Sequence, residues 1–282
     1  MPVPIVVTGM ARCGTSWVGK LLQASGELTY INESLNPDHP PGRSPGVLSA
    51  SVERHYQYIS EHNGDGWLAA FDDTLYLRYH VGAELRRNRS PYDLARMAKY
   101  ATSFLAGRLL GRRALLDDPN ALLASEWLAN RLGCRVVVIV RDPVAMVASW
   151  KRLGWTTDLG ELLHQPTLMR DWLEPFRREL ETVAASGDVI DRVALLWRLL
   201  YLVAAEYERR CPAIHVVRYE DLAAEPVGAS PTCTPRSAST STNRPRRRWC
   251  GPRRAALGAP RTGGRCPKAA SPRLASGRWT AG

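Results

Sequence analysis

The last 55 residues of the chain, 228–282, contain no aspartate or glutamate, yet they hold 12 Lys+Arg and seven prolines. Their only aliphatic side chains larger than alanine are Leu257 and Leu274. Such a stretch buries too little apolar surface to offset its ordering entropy, and it is expected to be disordered. Residues 1–227 carry 26 basic and 27 acidic side chains, a balance of −1, so the whole-chain charge of +11 belongs to the tail. Cysteine is sparse too, with six in 282 residues and no CxxC pair, which argues against a disulfide scaffold. Cys233, Cys250 and Cys266 lack zinc-site spacing, and Cys13, Cys134 and Cys211 show neither disulfide nor metal spacing, which fits a reducing compartment. Long apolar runs are missing: Val193–Ala205 is 13 residues, is broken by Arg198, and is too short to span a bilayer. The N-terminus has no basic segment followed by a long apolar one, so no secretory signal is expected and the body is expected to be cytoplasmic, or at most peripherally attached to a membrane.

What remains is ordinary. Hydrophobic residues make up 45% and charged residues 23%, which excludes a collagen-like or wholly disordered chain, and 282 residues suffice for one large domain. Three readings of the tail stand: a nucleic-acid-binding arm with Arg246, Arg247, Arg248, Arg253 and Arg254 on phosphates, a solvated tail of no particular role, or translation of the wrong reading frame of a GC-rich gene.

The body alternates strand and helix patterns. Val3–Val7 is an unalternating β-branched run, the mark of a strand buried on both faces. A helix is expected over Thr15–Ala24, and a second short strand over Leu28–Ile31. Residues 36–48 are rich in proline and glycine and read as an exposed loop. Pro91 opens a long helix, with Leu94, Met97, Ala98, Ala101, Leu105 and Leu109 on one face. Ala114–Leu116, Arg135–Val140 and Ala213–Arg218 read as strands. Helices are expected over about 121–132, from Pro143 through Lys151 with Asp142 as its cap, over 158–186 and over 188–210. This order implies an α/β fold, a parallel sheet covered by helices on both faces, over residues 1–227.

The segment Gly9-Met10-Ala11-Arg12-Cys13-Gly14-Thr15-Ser16 joins the first strand to the first helix. There, backbone N–H groups and the helix dipole favour an anion. The spacing G-x-x-x-x-G resembles a Walker A loop, but Thr15 stands in the place of its lysine and Arg12 supplies a cation from within the loop. ATP hydrolysis is thereby disfavoured relative to another phosphorylated ligand. The architecture expected is a P-loop-like three-layer sandwich.

Arg12-Cys13-Gly14-Thr15-Ser16-Trp17 resembles the [KR]-S-G-T-T/S-W motif of sulfotransferases that use 3'-phosphoadenylyl sulfate. The resemblance implies that the loop cradles the 5'-phosphosulfate, with Arg12 on the bridging and transferring oxygens, Gly14 in the loop, and Thr15 and Ser16 as hydroxyl and N–H donors. Trp17 would lie against adenine. Cys13 replaces the usual serine, keeping only the backbone N–H as a donor. The run Val136–Val140 followed by Arg141-Asp142-Pro143 and Ser149 resembles the family's second signature, whose arginine and serine bind the 3'-phosphate. Arg218-Tyr219-Glu220-Asp221-Leu222 resembles its Y-E-D-L segment, with Tyr219 near the adenine. Asp117-Asp118-Pro119 resembles a K-D-P of bacterial relatives with Asp117 replacing the lysine, and Tyr30–Pro37 resembles their E-P-x-N-P segment, with Ser34 in place of the first proline. The latter makes Glu33 the implied base facing the acceptor. His39, His55, His62 and His80 are weaker base candidates.

The resemblance covers about residues 4–226 and implies sulfuryl transfer to a hydroxyl or amine of a carbohydrate, lipid or small molecule, with no metal. Relatives continue past Y-E-D-L with helices and a basic glycine-containing loop that closes on the 3'-phosphate. That pattern is missing here, so the implied domain is incomplete at its C-terminal side. The rival readings are a P-loop kinase using ATP and Mg²⁺, and a nucleotide-binding protein whose tail binds nucleic acid. No specific nucleic-acid partner is expected. Tyr56, Tyr58, Trp67, Phe71, Trp155 and Trp172 would suit an acceptor pocket and would equally suit a core.

Overall fold

The computed structural model describes residues 3–37, 48, 50–87, 90–186 and 188–224. The tail 228–282, His39 and most of the loop 36–48 lie outside the described residues. Five strands form one parallel sheet: β1 (Ile5–Gly9), β2 (Leu28–Asn32), β3 (Arg113–Asp117), β4 (Arg135–Val140) and β5 (Ile214–Arg218), in the order β2-β3-β1-β4-β5. The helices are α1 (Thr15–Gln23), α2 (Asp65–Leu75), α3 (Val81–Arg87), α4 (Pro91–Leu109), α5 (Ser125–Leu132) and α6 (Pro143–Leu153). After two short turns, α7 (Gly160–Leu163) and α8 (Pro166–Leu168), come α9 (Arg177–Ser186), α10 (Val189–Arg210) and α11 (Tyr219–Ala224). The α/β architecture expected from the strand and helix patterns is the one observed, a parallel sheet flanked by helices.

Strand β1 is buried along its whole length, as a run of β-branched residues without alternation requires. It sits two residues later than the sequence suggests. Thr8 and Gly9 pair in register with Val138 and Ile139 of β4, which carries the strand up to the glycine. Because β1 lies between β3 and β4, the chain crosses from one side of it to the other, and the crevice at the carboxyl ends of these strands is where such folds bind ligands.

Helix boundaries follow the capping chemistry. Ser90 accepts from the Asp93 N–H and precedes Pro91, Asp142 accepts from the Ala145 N–H and precedes Pro143, and Asp188 accepts from the Ile190 N–H. Two expectations are corrected. The single helix over 158–186 is broken into α7, α8, a π-helical turn (Met169–Leu173), a 3₁₀ turn (Glu174–Phe176) and α9, with Pro166 and Pro175 entering where an unbroken ladder would need their N–H groups. The first half of the helix expected over 121–132 is a 3₁₀ turn (Pro119–Ala124), capped by Asp118. A third difference concerns α4, which turns Met97, Phe104 and Gly107 inward and leaves Leu94, Leu105 and Leu109 outside. Gly107 decides this rotation: a Cβ there would stand 2.1 Å from the Thr29 hydroxyl on β2, so the helix approaches the edge strand along its glycine.

Candidate active site

The loop between β1 and α1 has its backbone groups divided into two sets. One set is used to hold the loop. The Met10 N–H donates to the Tyr201 hydroxyl at 3.0 Å, and that hydroxyl donates to the Ile139 carbonyl at 2.7 Å. The Ala11 N–H donates to the Tyr56 hydroxyl at 3.2 Å, and the Ala11 carbonyl accepts from the Trp150 indole at 3.0 Å. The Cys13 N–H donates to the Met10 carbonyl at 3.0 Å, and the Arg12 carbonyl accepts from the Arg141 guanidinium at 3.1 Å. The other set is open: among the described residues the backbone N–H groups of Arg12, Gly14 and Ser16 have no partner. They lie at the N-terminus of α1, whose cap Gly14 offers no side chain, so orphan donors and the positive end of the helix dipole coincide.

Two glycines make this loop possible. At Gly9 a Cβ would meet the Ile139 carbonyl at 2.4 Å and the Cys13 sulfur at 2.5 Å. Gly14 has φ 103, a region that side chains rarely adopt, and a Cβ there would run into the Tyr219 ring at 2.5 Å. Arg12 (φ 77), Glu33 (φ 44), Tyr56 (φ 51) and Leu77 (φ 56) are the non-glycine residues with positive φ among those described. Arg12 lies in the loop and Tyr56 bonds to it, so left-handed backbone gathers here, as it does at functional sites.

The structure brings most of the sequence-predicted residues to this loop. Trp17 meets Tyr219 edge-on with centroids 5.8 Å apart, and Arg141 lies over the Tyr219 ring at 5.0 Å. The carbonyl of Arg141 accepts from the Trp197 indole of α10 at 3.0 Å. Arg12, exposed, lies over the Trp155 ring at 5.9 Å, and Trp155 in turn meets Trp150 edge-on. Two guanidiniums from the carboxyl ends of β1 and β4 therefore flank the open N–H groups, each resting on an aromatic ring.

Other expectations are modified. Cys13 offers nothing to a ligand, because its N–H is spent on Met10 and its thiol is fully buried against Tyr201, where burial pushes it up to about 12. The hydroxyls of Thr15 and Ser16 are turned toward the buried carboxylate of Asp117, which also accepts from the Tyr30 hydroxyl. Burial raises the Asp117 carboxyl from its ordinary value, against the hydrogen bonds it accepts, and its Oδ1 has no hydrogen-bond partner among the described residues. Ser149 is buried beside Met146 and Trp150 on the inward face of α6 and makes no hydrogen bond to the loop among the described residues. Its neighbour Trp150 makes that contact instead.

Glu33 follows β2 directly. Its N–H donates to the Asp117 carbonyl at 2.7 Å, and its carboxylate accepts from the Asn36 amide at 2.7 Å. The next two residues are pinned from below: the fully buried Asp118 accepts from the Leu35 N–H at 2.5 Å and the Ser34 hydroxyl at 3.2 Å. Glu33 thus stands at the carboxyl edge of the sheet, two strands away from the loop, and connects to it through Asp117. Of the histidines, His55 is engaged with Glu161 beside Tyr56, and His80 with Asp73.

The aromatic residues divide unequally. Tyr56, Tyr58, Phe71 and Trp172 are core, Trp67 is partly buried against it, and Trp155 is open. Tyr56, Trp150 and Tyr201 as loop holders, and Trp197 as the support of Arg141, are the residues that sequence reasoning misses. Each lies 45 or more residues from its partner by number, and neither periodicity nor spacing records such a contact.

No curated protein matches the chain. A solved bacterial structure, a sulfotransferase from Alicyclobacillus acidocaldarius, is similar at 17% identity and a TM-score of 0.37, covering 81% of this chain and 77% of that one. A family profile described as the sulfotransferase family matches residues 4–230, four-fifths of the sequence and all of the sheet. The loop, the sheet order and that match agree: this chain belongs to the sulfotransferase family.

Proposed function

We propose that residues 1–227 transfer a sulfuryl group from 3'-phosphoadenylyl sulfate to a hydroxyl or amine of an acceptor, a carbohydrate, lipid or small molecule. The observation that carries this reading is the convergence of three open N–H groups, Arg12 and Arg141 with the edge-on rings of Trp17 and Tyr219 at one loop. A doubly phosphorylated adenosine needs those parts: N–H groups and a cation for one phosphate, a second cation for the other, and flat apolar rings for the base.

The donor supplies an activated S–O bond and carries the leaving phosphate. Arg12 and the N–H groups of Arg12, Gly14 and Ser16 hold that phosphate and meet the charge that grows on it as the S–O bond breaks. Arg141 holds the 3'-phosphate, which fixes the register of the nucleotide relative to the loop. Glu33 takes the proton of the acceptor hydroxyl as its oxygen forms the new bond to sulfur. Asp117 positions Thr15 and Ser16 through their hydroxyls. The kinase reading loses support from Thr15, which stands where a phosphate-binding lysine would be.

The test is isothermal titration of the full chain with adenosine 3',5'-bisphosphate, with no metal added, on the wild type and on Arg141→Ala. Binding by the wild type and a loss of about tenfold or more in the variant are expected, the size of one charge-assisted contact. No wild-type binding overturns the donor assignment, and unchanged binding in the variant overturns the role of Arg141.

A further inference from the structure

Helix α4 has two apolar faces and the fold uses one. Met97, Phe104 and Gly107 pack inward, while Leu94, Leu105 and Leu109 stand 41%, 58% and 77% exposed on a stripe that also carries Ala98 and Ala101. Leu110, next along the chain, is 66% exposed, and on the neighbouring α3 both Val81 and Leu85 are open to solvent. Scattered exposed leucines need no explanation, but a stripe at helical spacing beside a second open pair is a surface with a use.

The sequence that carries this stripe is mainly basic. Residues 81–112 hold seven basic and two acidic residues, a net +5, within a body whose balance over 1–227 is −1. Of the two acids Glu84 is buried and Asp93 is partly exposed in the first turn of α4, bonded to its cap Ser90, whereas Arg86, Lys99 and Arg108 are exposed. A second copy of the chain seated on this face about a two-fold axis would bring the two cationic clusters together, an arrangement that opposes association. The fitting partner offers hydrocarbon and negative charge side by side.

We propose that α3 and α4 dock the domain on the surface of a bilayer containing anionic phospholipid. Helix α4 lies in the plane of the interface, with Leu94, Leu105 and Leu109 entering the acyl boundary and Arg86, Lys99 and Arg108 among the headgroup phosphates. Among the described residues no helix is long and apolar enough to cross a membrane, so attachment here is by a face. The inference is independent of the donor reading, since neither α3 nor α4 supplies a residue to the loop.

The test is co-sedimentation of the full chain with vesicles of phosphatidylcholine alone and of phosphatidylcholine with phosphatidylserine, for the wild type and for Leu105→Ser combined with Leu109→Ser. The tail carries 12 basic residues in both proteins, so its own attraction to anionic vesicles cancels in the comparison. The wild type is expected to bind the phosphatidylserine vesicles and the double variant to bind them about tenfold or more weakly, from the apolar area removed. Hydrogen exchange on the wild type provides a reading free of any folding effect: amides of residues 91–112 are expected to slow when those vesicles are added. Equal partitioning of the two proteins overturns the proposal, as does unchanged exchange over 91–112. Absence of wild-type binding overturns it as well, and a wild-type dimer that the double variant breaks would assign the face to a second copy instead.

Discussion

Replacing Gly14 with alanine probes the site through one methyl group. The cost has two parts. At φ 103 an L side chain is strained by on the order of 1–2 kcal/mol. The new Cβ would also stand 2.5 and 2.6 Å from two carbons of the Tyr219 ring, so the ring must retreat by about 1 Å to reach ordinary contact. That ring supports Arg141 at 5.0 Å and meets Trp17 edge-on, contacts of about 0.5–1 and 0.5–1.5 kcal/mol. The sum, about 2–4.5 kcal/mol, divides between stability and ligand binding, and affinity for adenosine 3',5'-bisphosphate is expected to fall by about 10- to 100-fold. Gly133→Ala is the matched control: Gly133 has φ 65 with nothing within 4 Å of an added Cβ, so it carries the backbone strain alone. Urea unfolding and isothermal titration on both variants give the result. A Gly14→Ala protein that binds within twofold of wild type, with a stability loss no larger than that of Gly133→Ala, would refute the packing of Tyr219 on the loop.

Tyr56→Phe removes one hydroxyl and leaves the Ala11 N–H without its partner, a loss of about 1–3 kcal/mol by urea unfolding, and the bisphosphate affinity should fall with it. A variant as stable as wild type would mean that the loop does not lean on Tyr56. Asp118 predicts a pH dependence. Burial raises it from 3.8 to about 7 against the hydrogen bonds from Leu35, Asn120 and Ser34, so the folded state binds this proton more tightly than the unfolded chain. Its stabilising contribution is therefore complete below about pH 4 and lost as the pH rises through about 7, up to roughly 4 kcal/mol. Asp118→Asn should flatten that slope, and a wild type whose stability does not fall over this range more than the variant's would show Asp118 to be ionised throughout. Trp150→Phe, which loses the indole bond to the Ala11 carbonyl together with buried ring volume and part of the edge-on contact with Trp155, should cost about 1–3 kcal/mol by urea unfolding and loosen the loop without unfolding α6.

Local chemistry was legible in the sequence. The unalternating runs of β1 and β4, the cap at Asp142, and the glycine spacing of the loop are short-range features, and the sheet with its anion-ready helix terminus follows from them. The motif residues Arg12, Trp17, Arg141 and Tyr219 were legible through their resemblance to sulfotransferase motifs, which rest on short runs of neighbouring residues. Four outcomes needed the tertiary structure: the face of α4 that is buried, the inward turn of Cys13 and Ser149, the clamp of Tyr56, Tyr201 and Trp150 on the loop, and the coupling of Glu33 to it through Asp117. Helical periodicity shows that a helix has an apolar face but not which of two faces meets the sheet. For α4 the close approach of Gly107 to Thr29 decided it. A hydroxyl's partner is fixed by where distant elements arrive, as when Tyr201 reaches Met10 across 191 residues, and no local spacing encodes that meeting.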